Sequence, residues 1–154
     1  MKLTCIAGLP GTGKTHLARG LAAETGALRL SRDEVRTELF DPVTYTESEK
    51  SAAFEEMLRR AREHLAREDV ILEGMPFSRR SERDAARRLA EEVGADFELI
   101  VCVCPDEVAL ARIVSQKPKH PADDRSESLY HAVKSRFEAI GEDEHPVAVN
   151  TREE

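Results

Sequence analysis

Near the N-terminus, Gly8-Leu9-Pro10-Gly11-Thr12-Gly13-Lys14-Thr15 sets three glycines, a lysine and a hydroxyl in the spacing G-x-x-x-x-G-K-[ST]. That pattern suits one task. A triphosphate has to be wrapped by successive backbone N–H groups, and side chains at Gly8, Gly11 and Gly13 would block the approach or forbid the dihedrals. Lys14 puts a point charge on the β- and γ-phosphates, and Thr15 offers a hydroxyl to Mg²⁺. Pro10, Thr12 and His16 flank these groups and belong to the same candidate nucleotide site. A helix opening at Lys14 would aim its positive end at the anion. The expected ligands are therefore ATP and Mg²⁺.

A second group follows about twenty residues later, Ser31-Arg32-Asp33-Glu34-Val35-Arg36. An Asp there could take a proton from an attacking hydroxyl, and an Arg could clamp an anion on the acceptor. The same residues also suit a plain helix start, with Ser31 as N-cap and acids in the first turn. Glu73, at the end of an apolar run, could hold Mg²⁺ through water, could orient the acceptor, or could be a surface residue before the Gly74 turn.

Positioning these groups requires alternating strands and helices, and the pattern supplies them. Apolar runs at Leu3 to Ala7, Ala27 to Leu30, Val70 to Leu72, Phe97 to Val103 and Val147 to Val149 predict five strands. Helical periodicity predicts helices from Lys14 to Glu24, after Thr46, from Ser81 to Val93, from Pro105-Asp106 to about Ser115, and from Ser126 to about Ile140. Thr46-Glu47-Ser48-Glu49 has capping-box spacing. Gln116 to Pro121 holds two prolines and cannot be regular. At 154 residues the chain fits one domain, 1–154, of α/β class.

Together, Gly8 to Thr15 and Ser31 to Arg36 resemble the P-loop kinases related to bacteriophage polynucleotide 5′-hydroxyl kinase, the zeta toxins and chloramphenicol phosphotransferase. The resemblance extends through Val70-Ile71-Leu72-Glu73-Gly74, Arg79 to Arg83, Cys104-Pro105-Asp106 to Arg112, and Leu129 to Glu138. It implies a P-loop NTPase fold of the nucleoside-monophosphate-kinase type. Its five parallel strands would run in the order 2-3-1-4-5, with helices on both faces and a helical lid at about 112–125. It also implies Asp33 as general base, Arg36 as acceptor clamp, Arg112 and Asn150 near the adenine, and a functional role for Arg83. Many relatives carry a second lid arginine where this chain has Gln116 and Lys117, which implies either a slow enzyme or a substituted role for Lys117, Lys119 or Arg125. The activity implied is transfer of the γ-phosphoryl group of ATP to a hydroxyl, on a small molecule or a polynucleotide 5′ end. The alternative is an ATP-binding switch without transfer.

Charge leaves the acceptor open. The net charge of −7 disfavours a nucleic-acid coat, yet six acids and one base between Glu138 and Glu154 account for −5 of it. Near the presumed acceptor side the aromatics are Phe40 and Tyr45, sparse for base stacking. Among the clustered arginines, Arg79, Arg80, Arg87 and Arg88 fit a solvated helix face with ion pairs at helical spacing. Three cysteines and no paired histidines predict neither disulfides nor a metal centre beyond Mg²⁺, and Cys102 and Cys104 would share one strand face. No apolar run reaches the roughly 18 residues of a membrane helix, and no signal segment precedes the loop, so a cytoplasmic location is expected.

Overall fold

The computed structural model describes residues 1–116 and 126–152. Five strands, β1 (Lys2–Ala7), β2 (Leu28–Ser31), β3 (Val70–Glu73), β4 (Asp96–Val103) and β5 (Val147–Asn150), form one sheet. The order is β2-β3-β1-β4-β5 and every pairing is parallel, as expected. The helices are α1 (Lys14–Thr25), α2 (Arg32–Leu39), α3 (Glu47–His64), α4 (Arg80–Val93), α5 (Asp106–Gln116) and α6 (Glu127–Arg136).

Alternation along the strands divides the core between the two faces of the sheet. Leu3, Cys5, Val70, Leu72 and Leu99 face α3 and α4, where small residues such as Ala53, Ala61, Ala86 and Ala90 let the helices approach closely. Ile6, Ile71, Ile100 and Cys102 face α1, packing on Ala18, Leu17 and Leu21. A third cluster, Ala109, Ile113 and Tyr130, joins α5 to α6 and includes Leu9 and Cys104 at its edge. Cys102 and Cys104 therefore enter different clusters instead of sharing a strand face, because β4 ends at Val103. No helix among the described residues is long and apolar enough to cross a membrane.

Local signals explain the element ends. Thr46 caps α3 by accepting from the Glu49 amide at 3.2 Å. The Glu49 carboxylate turns back further than a capping box would take it, accepting from the amides of Thr44 and Tyr45. The last helix ends at Arg136, four residues short of the expected Ile140. The chain leaves it because Arg83 takes the carbonyls of Glu138 and Ala139, each at 3.2 Å, and the Glu138 amide donates to the Ser78 carbonyl at 2.7 Å.

Candidate active site

Parallel strands deliver everything of chemical interest to one edge of the sheet. Gly8 follows β1, Glu73 ends β3 and Asp33 follows β2, and these three strands are neighbours in the order β2-β3-β1. The turn carrying Asp33 and the glycine loop therefore flank the end of β3, with strand axes two spacings of roughly 5 Å apart.

The loop itself is held on several sides. Gly8 donates to the Pro76 carbonyl at 3.1 Å, and the buried Thr12 hydroxyl donates to the Leu9 carbonyl at 2.7 Å. Pro10 is buried beneath it. Gly11 has φ +79°, and a Cβ there would strike the Ala109 carbonyl and lie 3.0 Å from Ile113 Cγ1. Only glycine meets both demands, so the loop lies directly against α5. Gly13, also at positive φ, caps α1. Lys14 Nζ donates to the Leu9 carbonyl at 2.9 Å, which holds the ammonium over the loop. His16 is exposed on the first turn of α1.

Thr15 and Glu73 meet. The Thr15 hydroxyl donates to Glu73 Oε1 at 2.9 Å, and Glu73 is 0 % exposed, so it is not a surface residue before a turn. Its second oxygen accepts from Arg29, whose guanidinium also reaches Glu34 Oε2 at 2.8 Å. Burial alone would lower the Arg29 pKa, but hydrogen bonding to Glu34 and the charges of Glu73 and Glu34 raise it instead. A loop whose positive-φ glycines are packed against the strand and helix behind it, joined to a hydroxyl and a buried carboxylate, fits a nucleotide phosphate chain with Mg²⁺.

Around Asp33 the helix-start reading is realised, while the Arg36 guanidinium, expected to clamp an acceptor anion, is buried and turned onto Asp33 instead. Ser31 caps α2, accepting from the Glu34 amide at 3.4 Å. Asp33 stands in the first turn, nearly buried, and its Oδ1 accepts from Arg36 Nη2 at 3.1 Å. Arg36 is 1 % exposed, and its guanidinium carbon lies 4.5 Å from the centre of the Tyr45 ring. It thus orients Asp33 from below. Gly74, at φ +81°, permits this assembly, because a Cβ there would strike the Ser31 hydroxyl and lie 2.8 Å from the Arg32 amide nitrogen.

Arg112 gathers the opposite side. Its guanidinium donates to the carbonyls of Gly11 and Arg152, each at 3.4 Å, and to the Thr151 carbonyl. Thr151 is wholly buried. Its hydroxyl donates to the Thr12 carbonyl and its amide to the Val103 carbonyl at 2.9 Å. The neighbouring Asn150 is exposed, and its side chain accepts from the Arg152 amide at 2.9 Å. The segment after β5 is thereby tied to the glycine loop through Thr151 and Arg112, with Asn150 on its surface.

Arg83 departs from the role its resemblance implied. It is 1 % exposed and spent on the fold, pairing with Glu144 at 2.7 Å and donating to the Phe77 carbonyl at 2.8 Å. The other arginines of α4 behave as a solvated face, with Arg80 and Arg87 both paired to Asp84. Of the lid, Arg112 to Gln116 belongs to α5, while Lys117, Lys119 and Arg125 lie outside the described residues. At its base, Asp106 accepts from Tyr130 and Lys134, each at 2.6 Å.

A sequence model described as an AAA domain matches residues 3–140, nearly the whole chain. The chain belongs to this AAA domain family. The AAA domain is 33% identical over 129 residues to the uncharacterized protein Rv2004c of Mycobacterium tuberculosis, an alignment covering 75% of this chain and 26% of that protein. The chain therefore spans about a quarter of the length of that relative. Its fold is also that of a proposed kinase from Chloroflexus aurantiacus (TM-score 0.78, 24% identity, 99% of this chain and 89% of the other). A sugar kinase from a Janibacter species gives 0.74 at 20% identity, covering 100% and 87%. With its loop, sheet order and flanking helices, this AAA domain has the P-loop NTPase fold.

Proposed function

We propose that the chain is an ATP-dependent phosphotransferase that passes the γ-phosphoryl group to a hydroxyl deprotonated by Asp33. The observation that carries this reading is the shared sheet edge. The phosphate loop, the Thr15–Glu73 pair and the nearly buried Asp33 carboxylate follow or end three neighbouring strands at the same sheet edge. The kinase likenesses support the reading, and so does the segment resembling the polynucleotide kinases.

In that reading the loop amides and Lys14 hold the phosphates, and Asp33 accepts the proton as the acceptor oxygen attacks in line. Arg36 fixes the orientation of Asp33 through its hydrogen bond to Oδ1. Thr15 and Glu73 would hold Mg²⁺, which would supply neutralising charge at the β- and γ-phosphates. Arg112 and Thr151 shape the adenine side. A cation from Lys117, Lys119 or Arg125 completes the lid.

For the acceptor we favour a small hydroxyl compound over a polynucleotide 5′ end. Tyr45, one of two aromatics near that side, already has its ring face under Arg36, where a nucleobase would stack. The test is transfer of labelled γ-phosphate from ATP to a panel of sugars and small alcohols beside a 5′-hydroxyl oligonucleotide. Label on a small alcohol supports the choice, and label on the oligonucleotide alone reverses it. Label on neither, with ATP bound, favours a nucleotide-dependent switch.

A further inference from the structure

Arg29 lies beside the phosphate-binding edge and takes no part in the reaction as proposed. It stands within β2 between Leu28 and Leu30, a costly place for a charge unless it is paired. Its pairing is specific. Nη1 donates to Glu73 Oε2, and Nη2 lies 2.8 Å from Glu34 Oε2 in the first turn of α2. Glu73 is wholly buried, and its other oxygen accepts from Thr15 Oγ1 at 2.9 Å. One guanidinium therefore bridges two carboxylates, and the buried one reaches the hydroxyl assigned to Mg²⁺.

A buried carboxylate requires a positive partner, and two cations on one carboxylate repel each other. We propose that Arg29 is the built-in counter-cation of Glu73, and that a divalent cation competes with it for that carboxylate. Glu34 is the second anchor, holding the guanidinium as Glu73 turns toward the metal. The inference rests on the reading of Thr15 and Glu73 as the Mg²⁺ site, and deepens it by naming what sets the affinity there. Glu34 suits its part because its side chain is partly exposed, 42 % against 0 % for Glu73, and can follow the guanidinium at little cost.

The sign of the effect separates competition from scaffolding. An arginine that merely shaped the site would weaken metal binding when removed; a competing counter-cation strengthens it. Mn²⁺ binding in the presence of ADP, followed by electron paramagnetic resonance of the free ion, reads this directly. Arg29→Gln is expected to bind Mn²⁺ roughly three- to tenfold more tightly than wild type, as loss of a nearby like charge requires. Its unfolding temperature should fall in EDTA and recover with Mn²⁺ and ADP. Arg29→Lys, which keeps the charge, should return Mn²⁺ affinity toward wild type. Glu34→Gln, on the exposed side of the bridge, should weaken Mn²⁺ binding, and it decides the matter should Arg29→Gln fail to fold. Unchanged or weaker Mn²⁺ binding by folded Arg29→Gln overturns the proposal, as does unchanged binding by Glu34→Gln. Wild-type Mn²⁺ binding that is indifferent to Glu73→Gln overturns the metal-site reading itself, and the proposal with it.

Discussion

The hydroxyl of Thr15 donates to Oε1 of Glu73 across 2.9 Å, joining the first turn of α1 to the C-terminal end of β3. The two residues are 58 apart in sequence, and only the parallel pairing of β1 with β3 brings their elements together. In the proposed reading, that bond marks the cation's place relative to the turn carrying Asp33.

Lys14→Ala should weaken nucleotide binding itself. Loss of a charged hydrogen bond to phosphate is worth about 1.5–3 kcal/mol, roughly ten- to a hundredfold in Kd. Calorimetric titration with ATP measures it, and an unchanged Kd contradicts the placement of the phosphates over this loop.

Gly74→Ala should cost about 1–3 kcal/mol in stability, from its left-handed backbone and the close approach of α2. Relief of the clash would lift the Ser31–Asp33 turn from β3. The variant should therefore lose phosphoryl transfer more than ATP affinity. Equal losses would place Gly74 outside the acceptor side.

Arg83→Ala should lower stability by about 3–5 kcal/mol, since it removes the buried partner of Glu144 and leaves only Arg80, at 3.7 Å, to face that carboxylate. ATP affinity of the folded variant should stay at the wild-type value. Loss of affinity without loss of stability would return Arg83 to the functional role that its resemblance implied.

Acid should loosen the α5–α6 hairpin. Hydrogen bonds from Lys134 and Tyr130 hold the Asp106 carboxylate below its ordinary value of 3.8. A depressed folded value means the charged form favours the fold. That contribution is present above the ordinary Asp range and is lost as pH falls through the lowered value. The gap in unfolding temperature between wild type and Asp106→Asn should be widest near neutral pH and close below about pH 4. A gap that ignores pH contradicts this.

What could be read from the sequence was whatever rests on local spacing. The loop from Gly8 to Thr15 needs its glycines in order, and the strands need their apolar runs, so both were visible before any fold existed. The sheet order came from resemblance to relatives, not from spacing. Contacts made across strands were not visible. Arg29 reads as an interruption of an apolar strand, and only the β2–β3 register, which pairs it with Ile71, puts it on the same sheet face as Glu73 two residues further along. Gly74 reads as a turn, although its function is to admit the backbone of Arg32 and Asp33. At the chain's last strand the exposed Asn150 drew attention by resemblance, whereas its neighbour Thr151 is the buried residue that reaches the loop. Arg83 was set apart by resemblance alone, since its spacing of four from Arg79 and Arg87 places all three on one helix face. Its partner Glu144 lies 61 residues away and could not be guessed.

The most direct test of the central claim is transfer of labelled γ-phosphate from ATP by wild type and Asp33→Asn, with ATP affinity measured on both. Wild type should label a hydroxyl acceptor, and Asp33→Asn should bind ATP equally well while transferring nothing detectable. Transfer that survives Asp33→Asn, or ATP binding lost together with transfer, would contradict Asp33 as the base.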